Sequence, residues 1–117
     1  MRISGSYSTR GVVLRVFTVT APPGARITVR CAGRGCPYVE KGPFGVRSSE
    51  PRAAGAARIV SIGGFRRRLL RPGVRLQVFV EQPGLVGKFT RFTIRRDQRP
   101  RRADRCMDTT GAIVPCG

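Results

Sequence analysis

ARITVRC, at residues 25–31, decides the fold: along an extended chain Ile27, Val29 and Cys31 fall on one side and Arg26, Thr28 and Arg30 on the other. A period of two, apolar against charged, marks a strand with one face buried and one face in water. The same period recurs in both directions from this stretch. VVLRVFTVT at 12–20 is rich in β-branched residues and ends at Pro22-Pro23-Gly24. VRLQVFVE at 74–81 places Val74, Leu76, Val78 and Val80 on one face and Arg75, Gln77, Phe79 and Glu81 on the other. Pro83-Gly84 suits the centre of a type II turn, and KFTRFTIR at 88–95 returns with Phe92 and Ile94 inward, so 74–95 is expected to form a hairpin.

Weaker strand signals lie at 37–40, as a short edge strand in a Gly/Pro-rich loop, at 44–47, and at 56–62 beyond a polar turn over 48–55. Ile3 to Tyr7 can add as a strand to an exposed edge, with pairing inside the same chain favoured over pairing with a neighbour. After Arg96 the alternation stops. Six to seven short strands, frequent turns and no amphipathic helix predict an all-β chain folded as an antiparallel β-sandwich, Ig-like or fibronectin type III-like, with a small barrel as the alternative. Residues 1–10 read as an N-terminal extension or added edge strand, 11–96 as the sandwich, and 97–117 as a basic, cysteine-bearing tail. Across 117 residues one domain is expected, and 40% apolar content with only 7% aromatic residues predicts a core of Val, Ile, Leu and Ala.

Charge sets the functional classes to weigh. The chain carries 23 Lys+Arg against 6 Asp+Glu, a formal net charge of +17, and all the basic residues but Lys41 and Lys88 are Arg. A GC-rich genome would favour Arg codons over Lys codons, and would leave the scarcity of acids unexplained. Such a chain repels itself and attracts polyanions: nucleic acid, anionic membrane surfaces, acidic glycans or phosphate-rich wall polymers. The absence of His removes Ser-His and Cys-His nucleophile pairs and His-assisted zinc sites. Glu40, Glu50, Glu81, Asp97, Asp104 and Asp108 include no tight local pair, so ion pairing is favoured over carboxylate catalysis. No calcium, phosphate-loop or nucleophile-elbow motif occurs. The expectation is therefore a chain that is not an enzyme and takes no cofactor or metal.

Four cysteines, Cys31, Cys36, Cys106 and Cys116, allow three pairings. Local pairing, 31 with 36 and 106 with 116, is preferred because Gly33 and Gly35 let the first loop bend back and the second bridge ties down the chain's end. Four thiolates also suit a structural zinc, although the gap from 106 to 116 departs from the close spacing of zinc modules. Disulfides imply an oxidising compartment, hence an extracellular or cell-surface protein, and reduced thiols imply the cytoplasm. No apolar run reaches 18 residues, so no transmembrane span is expected, and MRISGSYSTR at the start lacks the apolar stretch of a signal peptide.

GARITVRCAGRGCP at 24–37, LRPGVRLQVFV at 70–80 and QPGLVGKFTRFTIRR at 82–96, followed by a cysteine-bearing tail, together resemble a small module of exported or surface-attached proteins in high-GC Gram-positive bacteria. The resemblance covers roughly residues 11–106 and implies an Ig- or fibronectin-III-like domain at the cell exterior, without implying an activity.

Two basic clusters are the candidate anion-binding residues: Arg66, Arg67, Arg68 and Arg71, and then Arg95, Arg96, Arg99, Arg101, Arg102 and Arg105. On the strands, Arg75 and Arg91 are expected to face outward beside Phe79 and Phe89, the interleaving that single-stranded nucleic acid uses. The competing reading is a solvated Arg face with an aromatic cross-strand pair, and the tail has its own competing reading as a charged linker held extended by Pro100. The leading expectation is a disulfide-stapled structural or interaction module that meets acidic cell-envelope polymers or other protein modules, self-assembly through an edge strand included. The alternative is a basic nucleic-acid-binding protein with reduced cysteines.

Overall fold

The computed structural model describes residues 2–22, 24–37, 39–45, 58–65, 67–82, 84 and 87–116. The expected turn over 48–55 lies outside them, as does the end of the strand expected at 44–47. Among the described residues the chain is all-β, in two antiparallel sheets, and no helix is long and apolar enough to cross a membrane. The first sheet holds β1 (Arg2–Ser8), β2 (Gly11–Ala21) and β5 (Arg58–Ser61) in that order, with the two-residue β6 (Leu69–Leu70) also paired to β2. The second runs β10 (Ile113–Val114), β9 (Gln98–Met107), β8 (Gly87–Arg95), β7 (Arg75–Glu81), β3 (Arg26–Ala32), β4 (Glu40–Gly45).

Alternation places the core. Ile27, Val29 and Cys31 on β3, Leu76 and Val78 on β7, and Phe92 and Ile94 on β8 are buried against Leu14, Phe17 and Val19 of β2. Strand β2 needs one correction to its own period. Its buried positions are Val12 and Leu14, then Phe17, Val19 and Ala21, a change of parity that would turn half the strand outward. A β-bulge resolves it: Ser4 pairs with Val16 and Gly5 with Leu14, so Arg15 is the extra residue and both halves face the core. Phe17 then meets Phe65, with ring centroids 5.9 Å apart. Each such fully buried Leu, Ile or Phe contributes roughly 2 kcal/mol of transfer free energy.

The expected hairpin over 74–95 is present, with Val78 opposite Thr90 and Phe79 opposite Phe89. Gly84 has φ 76°, a left-handed conformation that favours glycine, while Pro83, the other central residue of the expected turn, lies outside the described residues. The N-terminal stretch pairs within its own chain, β1 against β2. At the crossing into β2, Gly11 has φ 126°, and a Cβ there would lie 1.9 Å from the carbonyl oxygen of Leu70, so only glycine lets β6 close on β2.

Three expectations need revision. The edge strand expected at 37–40 and the described part of the one at 44–47 meet in the single β4, which starts at Glu40 and includes residues 44–45. Leu69–Leu70, given no strand by its pattern, is β6. The largest change is at the C-terminal end: residues 98–107, expected to be irregular, form β9, paired with β8 from Gly87↔Met107 to Arg95↔Gln98. The turn between them uses Asp97 at φ 53°, a conformation that Asp tolerates without glycine, and its N–H donates to the Ser8 carbonyl. Both disulfides take the local pairing, Cys31–Cys36 and Cys106–Cys116.

Candidate anion-binding surfaces

Register fixes what the outer face of the six-stranded sheet displays. Arg75 is opposite Thr93, which is opposite Arg101; Gln77 is opposite Arg91, then Ala103; Phe79 is opposite Phe89, then Arg105. Directly opposed residues share a face, and neighbouring strands lie about 4.8 Å apart, so Arg75, Arg91, Arg101 and Arg105 form a staggered array on three strands. All four are exposed. Arg30 on β3 joins the face but is already engaged: its guanidinium lies 5.3 Å from the Phe79 ring centroid, and its Nε is 3.6 Å from Glu40 Oε1.

The aromatic pair sits within this array. Phe79 and Phe89 have ring centroids 5.0 Å apart at 53°. Phe89, although it points away from the sandwich interior, is only 5% exposed. With one ring buried and the other capped by Arg30, the two phenyl groups cover each other and the sheet. An open pair of faces on which bases could stack is not the arrangement formed.

The inward face of β9 is solvent-accessible and carries a small polar network. Thr90 Oγ1 donates to Asp104 Oδ1 at 2.8 Å, Arg102 Nε donates to Asp104 Oδ2 at 3.0 Å, and the Arg102 guanidinium lies 5.6 Å from the Phe92 ring centroid. Partial burial pushes the Asp104 carboxyl up, but the hydrogen bonds from Arg102 and Thr90 and the Arg102 charge outweigh it and hold the group below its ordinary value. Asp108, just beyond β9, is also held low, by donation from the Thr110 hydroxyl and from the N–H groups of Ala112 and Thr110. An open groove of ≈ 470 Å³ runs between β1 and β9, with Ile3, Tyr7, Leu14, Phe92, Arg99 and Arg102 among its walls.

The candidate arginines are therefore divided rather than gathered. Arg101 and Arg105 belong to the outer array, and Arg99 and Arg102 to the groove. Arg95 and Arg96 are exposed at the β8–β9 turn, where Arg95 donates from Nε and Nη2 to the Arg99 carbonyl at 3.0 and 2.8 Å. Arg67, at φ 61°, donates its N–H to the Leu14 carbonyl; Arg68 is exposed beside it; Arg71 is exposed after β6; and Arg66 lies outside the described residues. Two arginines outside both clusters, Arg10 and Arg34, are exposed on neighbouring loops, and only the pairing of distant strands brings them near the rest. All four cysteine sulfurs are consumed in disulfides, and among the described residues no three of Cys, Asp or Glu gather as metal ligands. Searches against protein-family models, curated proteins and solved structures found no match to this chain.

Proposed function

We propose that this chain is a non-enzymatic, disulfide-stapled structural or interaction module that works outside the cytoplasm, at the cell surface or beyond it, and meets acidic polymers through its arginine-bearing surfaces. The two disulfides require oxidising conditions to persist, which supports the compartment. Strand order supports a sandwich of the fibronectin type III kind: β1-β2-β5 faces β8-β7-β3-β4, a three-plus-four arrangement, to which this chain adds the two-residue β6 on β2 and β9 and β10 beyond β8. Asp104 and Asp108 are committed to structural hydrogen bonds, which argues against their use as catalytic carboxylates.

The observation that carries the binding reading is the register-aligned array of Arg75, Arg91, Arg101 and Arg105, which has no acid opposite any of its members across β7, β8 and β9. The same array favours a second reading, a nucleic-acid surface, and the burial of Phe89 counts against it because stacking on aromatic faces gives single-strand binders much of their affinity. A heparin column and a fluorescent single-stranded oligonucleotide, each run across a salt series, separate the two. The expected result is retention on heparin that weakens steeply with salt, no preference for the oligonucleotide at equal charge, and no titratable thiol in the unreduced protein. Four free thiols, or elution from heparin at physiological ionic strength, would overturn the proposal.

A further inference from the structure

Pairing of β1 with β2, β6 with β2, β3 with β7 and β8 with β9 brings four connections to one end of the sandwich. Their contacts are direct. Gly11 abuts Leu70 and Arg71, and a Cβ on Gly35 would lie 3.3 Å from Arg71 Cγ and Cδ, so the Arg71 stem crosses the Cys31–Cys36 loop. The Gly73 N–H donates to the Ile94 carbonyl at 2.8 Å, and the Asp97 N–H to Ser8 at 3.0 Å. These connections carry Arg10, Arg34, Arg71 and Arg96, all exposed, and one acid, Asp97. The opposite end has Glu81 and Asp108 facing a shared pocket with Arg26.

We propose that this arginine-bearing end is a distinct site for a run of adjacent phosphoryl groups on an acidic polymer, an inference that rests on the acidic-polymer reading above and sharpens it. The outer array spreads its charges over three strands and suits a chain with widely spaced anions. The loop end brings four connections bearing Arg10, Arg34, Arg71 and Arg96 to one tip, with Arg95 at the end of β8 beside them and already donating to the Arg99 carbonyl, a grouping that calls for a ligand of high local charge. Directly linked phosphoryl groups carry a negative charge at every unit, a higher charge per length than carboxylates borne on a carbon chain, and their terminal oxygens accept the paired N–H groups of a guanidinium fork. The disulfide and the backbone hydrogen bonds hold the loops in place before binding, so little ordering opposes it.

Inorganic tripolyphosphate is the shortest such run and serves as the probe. Two triple variants of equal charge are compared by calorimetry at about 0.15 M ionic strength: Arg10→Gln/Arg34→Gln/Arg96→Gln at the loop end, and an array variant, Arg26→Gln/Arg91→Gln/Arg105→Gln, on the outer face of the six-stranded sheet away from that end. All six residues are exposed, and none holds a loop by a side-chain contact described above; thermal melts check that both variants fold. The loop-end variant is expected to lose about tenfold or more in affinity and the array variant less than about threefold. Equal losses, or displacement of tripolyphosphate by citrate at matched concentration, would sink the inference, because net charge alone would then explain the binding. A native protein that binds heparin and ignores tripolyphosphate removes this site and leaves the broader reading intact; one that binds neither removes both.

Discussion

Asp104 and Asp108 are two of only six acids in the chain, and both serve as acceptors that hold the C-terminal end together. Their carboxyl groups sit below the ordinary value of 3.8. A carboxylate that is harder to protonate in the folded state than in the unfolded chain stabilises the fold above the unfolded pKa, and that contribution drains away as pH falls through the lower, folded value. Acid should therefore loosen this end below about pH 4. Chemical denaturation of Asp104→Asn and Asp108→Asn across pH 7 to about 2 is expected to give curves below wild type at neutral pH that converge with it in acid. Parallel curves would mean that neither charge is linked to folding. Asp97 shows a different use of the same residue type: at φ 53° it makes the β8–β9 turn without glycine, which is why no turn signal announced that hairpin in the sequence.

Strands that bury one face were legible because burial imposes alternation, and β2, β3, β7 and β8 all stand within one or two residues of where the pattern put them. Strand β9 was not legible, for the converse reason. A strand whose inward side lines an open groove, with only the two-residue β10 on its far edge, has no apolar face to fill, so QRPRRADRCM shows no period of two and reads as a charged tail. Arginines and Pro100 on such an edge also discourage pairing with another molecule, since charge repels and proline lacks the N–H. The outer array was half visible, Arg75 and Arg91 from their strands, while its partners Arg101 and Arg105 awaited β9. The loop-end arginines were invisible as a group, because Arg10, Arg34 and Arg71 are neighbours only through pairings between distant strands. The Cys106–Cys116 bridge is what secures β10, two residues long, to β9. Cys106→Ser/Cys116→Ser should cost at most about 2 to 3 kcal/mol in overall stability. Hydrogen exchange should lose protection over residues 106–114 while β3 and β7 stay protected. Uniform loss across both sheets would contradict this local role.

At the scale of the whole molecule, +17 on 117 residues is a standing repulsion that the folded state must carry. Ion pairs relieve little of it: among the described residues Arg30–Glu40 and Arg102–Asp104 are both solvent-accessible. Salt should accordingly stabilise the protein, with a melting temperature that rises between about 0.01 and 0.5 M sodium chloride as screening shortens the range of repulsion. A melting temperature that falls over that range would show that attractive pairs dominate instead. The strand order has one more consequence, and it concerns time. Strands β7, β8, β9 and β10 follow one another both in sequence and in space, so each can fold back on its predecessor as a hairpin within microseconds. Strand β3 has to find β7 across the whole segment 33–74, a slower search. Strand β2 faces the same kind of search, for β5 across 22–57 and for β6 across 22–68, so the pairings between the two halves of the chain set the pace and the C-terminal hairpins do not.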